Sequence, residues 1–233
     1  VLPLNLCILN KSEKKIGSKG VTNYLPAYGS VGAITDDTQM TLFTAEGLLR
    51  GWVRSVSRGI GGAEVSIIHE SYLRWLQTQQ SQYDDVDVSR PNMGWLIKQR
   101  DLWSRRAPGN TCISALVSNV SLGQPVVNDS KGCGTVMRVS PIGLMYEGEL
   151  AYRLGKKTSQ LTHGHPTATL SAGALCLIIN QLKQGVSLEQ AIASSLDIVK
   201  NDEKQLNIHN ETSQAIERAL SFAKQGESTS AEQ

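Results

Sequence analysis

Along the chain, apolar residues return at intervals of three and four. No stretch carries the period-two alternation of a half-buried strand bounded by hairpin turns. From Asp36 to Val56 the apolar positions are Met40, Phe43, Gly47, Leu48 and Trp52; from Ala63 to Gln79 they are Val65, Ile68, Tyr72, Trp75 and Leu76. Each set falls on one side of a 3.6-residue turn, so both segments are predicted to be amphipathic helices. Ser81 to Pro91 is polar and aperiodic, with Asp84, Asp85 and Asp87 close together, and reads as surface loop. Pro108-Gly109-Asn110 then punctuates the chain before a predicted helix carrying Ile113, Leu116, Val117 and Val120, and a second break runs from Gly123 to Gly134.

After Pro141 one short helix is expected, leading to Thr162-His163-Gly164-His165-Pro166, where Pro166 suits a first helical position. The helix it opens is small and apolar (Ala168, Leu170, Ala172, Leu175, Ile178, Ile179, Leu182), which places it at the centre of the bundle. Two more follow, one from Ser187 with Leu188, Ala191, Ile192 and Val199, the other from Asn210 with Ala215, Ile216, Ala219 and Ala223. Gly226 to Gln233 is polar and expected to fray. The fold class is therefore all-α.

At 233 residues, without a shift in composition, the chain reads as one domain over 1–233. Lys plus Arg number 23 against 21 Asp plus Glu, so the electrostatic footprint of a protein that tracks nucleic acid is missing, and no nucleic-acid partner is expected. Cys7, Cys112, Cys133 and Cys176 form no C-x-x-C pair and suit reduced thiols in the cytoplasm. Val1 to Leu9 is apolar, yet it has no basic flank and is too short to span a bilayer, so neither a targeting signal nor a membrane partner is expected. A chain opening on Val1 is expected to be processed, trimmed or taken from a longer reading frame.

Three clusters could carry chemistry. Thr35-Asp36-Asp37-Thr38 puts adjacent carboxylates and hydroxyls at a helix start, a set of hard oxygens suited to magnesium or manganese. The same residues suit a helix cap, with Gln39 completing a capping-box-like pair with Asp36. Lys131-Gly132-Cys133-Gly134-Thr135 is a Gly-x-Gly turn, which either lets backbone N–H groups approach phosphate oxygens or is only a turn. His163 and His165 form a His-x-His pair that could hold a metal, or could cap and hydrogen-bond at a helix entry. Asp85-Val86-Asp87 lies in acidic, aperiodic surroundings and reads as solvated loop.

Taken together, these segments carry a resemblance. Gly32-Ala33-Ile34-Thr35-Asp36-Asp37-Thr38-Gln39-Met40-Thr41-Leu42, followed by Ala45-Glu46-Gly47-Leu48-Leu49, resembles the signature of the ADP-ribosylglycohydrolase family. Gly132-Cys133-Gly134 through Met137-Arg138-Val139-Ser140-Pro141-Ile142-Gly143 and Leu161-Thr162-His163-Gly164-His165-Pro166 match in the same order, and Pro108-Gly109-Asn110-Thr111 is a weaker fourth match. The resemblance covers about Gly17 to about Ala223.

It implies an orthogonal multi-helix bundle around two magnesium ions and a hydrolase that cleaves the glycosidic bond at the ribose anomeric carbon of ADP-ribosylated proteins or small molecules. It assigns Thr35, Asp36 and Asp37 as metal ligands, with Asp36 and Asp37 catalytic, and Gly132, Cys133, Gly134 and His163 as substrate-binding residues. Cys133 stands where many relatives have Asn or Ser, which favours a backbone contact there. Two departures are larger: the family's opening G-D-A-L-G-type helix and its C-terminal D-x-D-[ST] are missing from this sequence. Taken alone, the segment is expected to be an incomplete bundle, to hold at most one magnesium weakly, and to be inactive. The rival reading is a non-catalytic member that binds ADP-ribose or serves a structural, crystallin-like role.

Overall fold

The computed structural model describes residues 22–90, 93–119 and 121–225. Val1 to Leu9, Val120 and Gly226 to Gln233, on which expectations were placed above, lie outside the described residues. A two-residue hairpin, β1 (Pro26–Ala27) with β2 (Ser30–Val31), precedes the helices. These are α1 (Asp36–Arg58), α2 (Glu64–Gln80), α3 (Asn110–Ser118), α4 (Ser140–Met145), α5 (Gly148–Ser159), α6 (Pro166–Lys183), α7 (Leu188–Leu206) and α8 (Glu211–Gln225). Short 3₁₀ turns, among them Leu96–Lys98 and Val136–Arg138, link them. The fold is all-α, and no helix among the described residues is long and apolar enough to cross a membrane.

Helix α1 ends where Gly59 takes a left-handed φ of 66° and returns its N–H to Ser55 O, a stop that favours glycine. Met40, Phe43, Gly47 and Leu48 are buried, but Trp52 is 53% exposed. It lies past Gly51, the last buried residue of α1. Helix α2 follows its pattern, with Ile68, Tyr72, Trp75 and Leu76 all in the core. Buried polar groups tie the following loop to this pair. Glu46 accepts from Arg74 Nε and Nη2 through Oε2, and from the backbone N–H groups of Trp95 and Leu96 through Oε1. Gln39 accepts from Trp75 Nε1 and Gln79 Nε2 and donates to Leu102 O and Ser104 O. Every one of these groups exchanges water for a partner, which is the condition for burying it.

The single helix expected after Pro141 is two. The chain breaks between α4 and α5 at Gly148, whose φ is 52°, and buried Asn180 of α6 satisfies the break. Its Oδ1 accepts from Gly148 N and its Nδ2 donates to Tyr146 O. A side chain from a distant helix thus does what local sequence could not announce.

Helix α6 is central, as its small residues imply, and packs on α4, α5 and α7. Close approach is possible because glycines face it. A Cβ on Gly143 would sit 2.4 Å from Cys176 O, and one on Gly155 would sit 2.6 Å from Cys176 Sγ and 3.0 Å from Ala172 O. Helix α8 departs from its predicted face. Thr212 and Ser213 are buried, while Ala215, Ala219 and Ala223 are exposed. It is anchored by its first turn, where Glu203 Oε1 of α7 accepts from Thr212 N and Ser213 N.

Gly155→Ala is expected to lower stability by about 1–3 kcal/mol, the usual cost of forcing atoms into a filled core, because backbone as well as the Cys176 thiol must yield. Urea denaturation checks this, with Gly61→Ala as control, since its Cβ would meet only Ser55 Oγ at 3.6 Å.

Candidate functional site

Thr35 precedes α1 with extended backbone, but its side chain makes no capping hydrogen bond. Its Oγ1 donates instead to Asp37 Oδ2 at 2.9 Å. Gln39, the other half of the possible capping box, points into the core as described, so the capping alternative for this cluster is not the one the structure adopts. Asp36 is 7% exposed; its N–H donates to Arg106 O and its Oδ2 accepts from Gly109 N at 3.2 Å. Burial holds this carboxyl above the usual carboxylate range, the Gly109 N–H opposes that, and the neighbouring Asp37 charge adds to it.

The Gly-x-Gly turn lies against His163. Neither Gly132 nor Gly134 has a left-handed φ. Their small size serves close approach instead: a Cβ on Gly134 would lie 2.9 Å from both Cys112 Sγ and His163 Cε1, and one on Gly132 would lie 3.5 Å from His163 Nε2. Cys133 between them is exposed. His163 is 2% exposed, and burial together with the positive charge of Arg138 pushes its pKa down to about 4, so the ring is neutral at physiological pH. His165 takes the capping role, its Nδ1 accepting from Thr167 N at the start of α6. Asp85 ends an exposed 3₁₀ turn and Asp87 accepts from Ser89 N and Oγ, both within the surface loop.

The clusters converge. Thr41 Oγ1, one turn beyond Asp37, shares its single hydrogen between Asp37 O at 2.8 Å and Met137 O at 2.9 Å, just past the Gly-x-Gly turn. The weakest motif forms the bridge: Gly109 N holds Asp36, Thr111 Oγ1 and Ser130 Oγ share a hydrogen bond of 3.2 Å, and Cys112 sits behind Gly134.

Two residues quoted only as parts of motifs prove central. Arg138 is fully buried and donates to Thr162 Oγ1 at 2.6 Å and to Thr158 O at 3.3 Å, with its guanidinium 4.6 Å from the Tyr72 ring centroid. Thr162 Oγ1 in turn meets His163 Nδ1 at 2.8 Å. A lone charge inside the apolar run Met137 to Gly143 was the available signal.

Among the described residues, no group of three or more His, Cys, Asp or Glu side chains could hold a metal ion. Thr35, Asp36 and Asp37 supply hard oxygens that fit one divalent cation with water completing its shell. The buried Asp36 carboxyl beside Asp37 is a place where positive charge would be favoured.

Because His163 titrates at about 4 when folded and near 6.5 when unfolded, its contribution is intact above about pH 6.5. It is lost as pH falls toward about 4, by roughly 3 kcal/mol at most. Asp36, with its raised carboxyl, works the other way, since protonation relieves the cost of burying its charge. Denaturant unfolding of wild type and His163→Asn between pH 7 and about pH 4 should show a shallower pH dependence in the variant.

Comparison with curated proteins and with solved structures found no match. The family model described as ADP-ribosylglycohydrolase matches residues 8–233, almost the whole sequence. With an all-α fold whose three motifs meet at one place, this chain belongs to the ADP-ribosylglycohydrolase family.

Proposed function

We propose that the chain carries the ADP-ribose and cation sites of a magnesium-dependent hydrolase that cleaves the bond at the ribose anomeric carbon of modified proteins or small molecules. The observation that carries this reading is the convergence of Thr35-Asp36-Asp37 with the Gly132–Gly134 turn through Gly109, Cys112 and the Thr41–Met137 hydrogen bond. An acidic ledge beside a glycine turn suits a ligand that joins a diphosphate to a sugar.

In this reading Thr35, Asp36 and Asp37 would hold the cation, which when bound lowers the pKa of its water and screens charge near the ribose. The Gly132–Gly134 backbone approaches the diphosphate, with exposed Cys133 at the outer edge of the turn. Asp36 and Asp37 orient a water toward the anomeric carbon. Its oxygen bonds to that carbon as the bond to the acceptor breaks, the water gives up a proton, and the acceptor leaves protonated.

A second reading is an ADP-ribose binder without turnover. It is favoured by the small donor set, since the described residues bring no group of three metal-capable side chains together. Calorimetric titration with ADP-ribose, then assay of ADP-ribose release from a modified peptide with and without magnesium, separates the two. Magnesium-dependent release supports the hydrolase, binding without release supports the binder, and absence of both removes both.

Asp36→Asn and Asp37→Asn are each expected to weaken magnesium binding at least tenfold while leaving helicity by circular dichroism unchanged, since Asn keeps the size and a hydrogen-bonding oxygen at the start of α1. Near-normal magnesium affinity in both would overturn the metal assignment. Gly134→Val should weaken ADP-ribose binding more than magnesium binding, because its added atoms collide with Cys112 and His163 rather than with Asp36 or Asp37. Equal losses in the two titrations would indicate general misfolding instead.

A further inference from the structure

Hydrogen-bond bookkeeping around Thr162 decides how the proton of His163 is placed. Arginine can only donate, so the 2.6 Å contact from Arg138 Nη2 makes Thr162 Oγ1 an acceptor. The hydroxyl has one hydrogen to give and three candidate receivers: His163 Nδ1 at 2.8 Å, Ser159 O at 3.5 Å and the Cys112 sulfur, which is a weak acceptor beside an imidazole nitrogen. Ser159 O already accepts the backbone N–H groups of Thr162 and His163, which occupy its two lone pairs. The hydrogen therefore goes to Nδ1.

We propose that Arg138, acting through Thr162, is a positioning residue that holds neutral His163 in the Nε2–H tautomer, with that N–H as a donor beneath the Gly132–Gly134 turn. Nε2 is the ring atom nearest the Cβ position of Gly132, at 3.5 Å, while Nδ1 is the ring atom that Thr162 engages. The natural receiver of the Nε2–H is an anionic oxygen seated on the turn, such as a diphosphate oxygen. That last step rests on the ADP-ribose reading; the tautomer does not. Arg138 itself is fully buried behind Thr162 and Tyr72 and acts only through its neighbours.

The test is a long-range proton–nitrogen correlation spectrum of ¹⁵N-histidine protein without ligand near pH 7, with His163 assigned by loss of its signals in His163→Asn. Wild type and Thr162→Ser should show protonated Nε2 and bare Nδ1. Thr162→Val, which keeps the shape but removes the hydroxyl, should give a mixture of tautomers, as should Arg138→Met if it folds. ADP-ribose affinity, measured by calorimetry, should fall about tenfold in Thr162→Val and stay near wild type in Thr162→Ser. A wild-type His163 protonated on Nδ1, or an Nε2–H population unchanged in Thr162→Val, overturns the proposal. If wild type binds no ADP-ribose, the functional reading fails, while the ligand-free spectra still judge the tautomer.

Discussion

The guanidinium of Arg138 is a permanent charge with no exposed surface, and five segments converge on it to partner its two Nη groups and its face, leaving Nε without a hydrogen bond. No carboxylate among the described residues pairs with it. Instead it meets Met40 Sδ at 3.8 Å and Cys112 Sγ at 3.6 Å, lies over the face of Tyr72, and donates to Thr158 O and Thr162 Oγ1. These contacts come from α1, α2, α3, the end of α5 and the turn that follows it. Tyr72 is itself held through its hydroxyl by Thr44, at 2.7 Å. A charge desolvated this completely is costly, and a set of soft, polarisable and hydrogen-bonding partners offsets the cost only while all of them stay in place. The charge therefore couples the packing of the core to the geometry of the site.

Two histidines lie within reach of that charge. His163 and His69 are both buried, and both have pKa values lowered first by loss of water and then by the Arg138 charge. His69 Nδ1 accepts from Gly123 N and so ties α2 to a loop, while His163 Nδ1 meets the adjacent Thr162 within one turn. The acidic edge of the site belongs to a different electrostatic region. Asp36 is held high by its own burial and by Asp37, and the backbone N–H of Gly109 is the nearest opposing influence. The His163 side of the site thus lies over the buried Arg138 charge, and the other side carries the Asp36 and Asp37 carboxylates.

Glycine and other small residues set the distances. At the site, Gly134 allows Cys112 and the His163 ring to sit directly against the turn. In the core, Gly143 and Gly155 let α4 and α5 approach the backbone of α6. The same device serves the packing of a turn in one place and of helices in the other, and sequence inspection sees only a glycine in both cases.

Helix existence and the faces of α2 and α6 were legible in the sequence, because a stripe of apolar residues at 3.6-residue spacing is a local property of the chain. The acidic start of α1, the Gly-x-Gly turn and the His-x-His entry to α6 were legible too, as residue types at fixed spacings that match one family. Tertiary structure decided the rest. Whether Trp52 and the stripe of α8 are covered depends on what else in the fold reaches them. Whether the chain after Pro141 forms one helix or two depends on Asn180, more than thirty residues away in sequence. Whether Thr35 caps its helix or turns to Asp37, and whether glycines at 132 and 134 serve φ or proximity, depends on partners brought in by other segments. Arg138 shows the division most clearly: its charge is written in the sequence, but its role comes from the neighbours that exclude water from it, and burial is a property no single segment possesses.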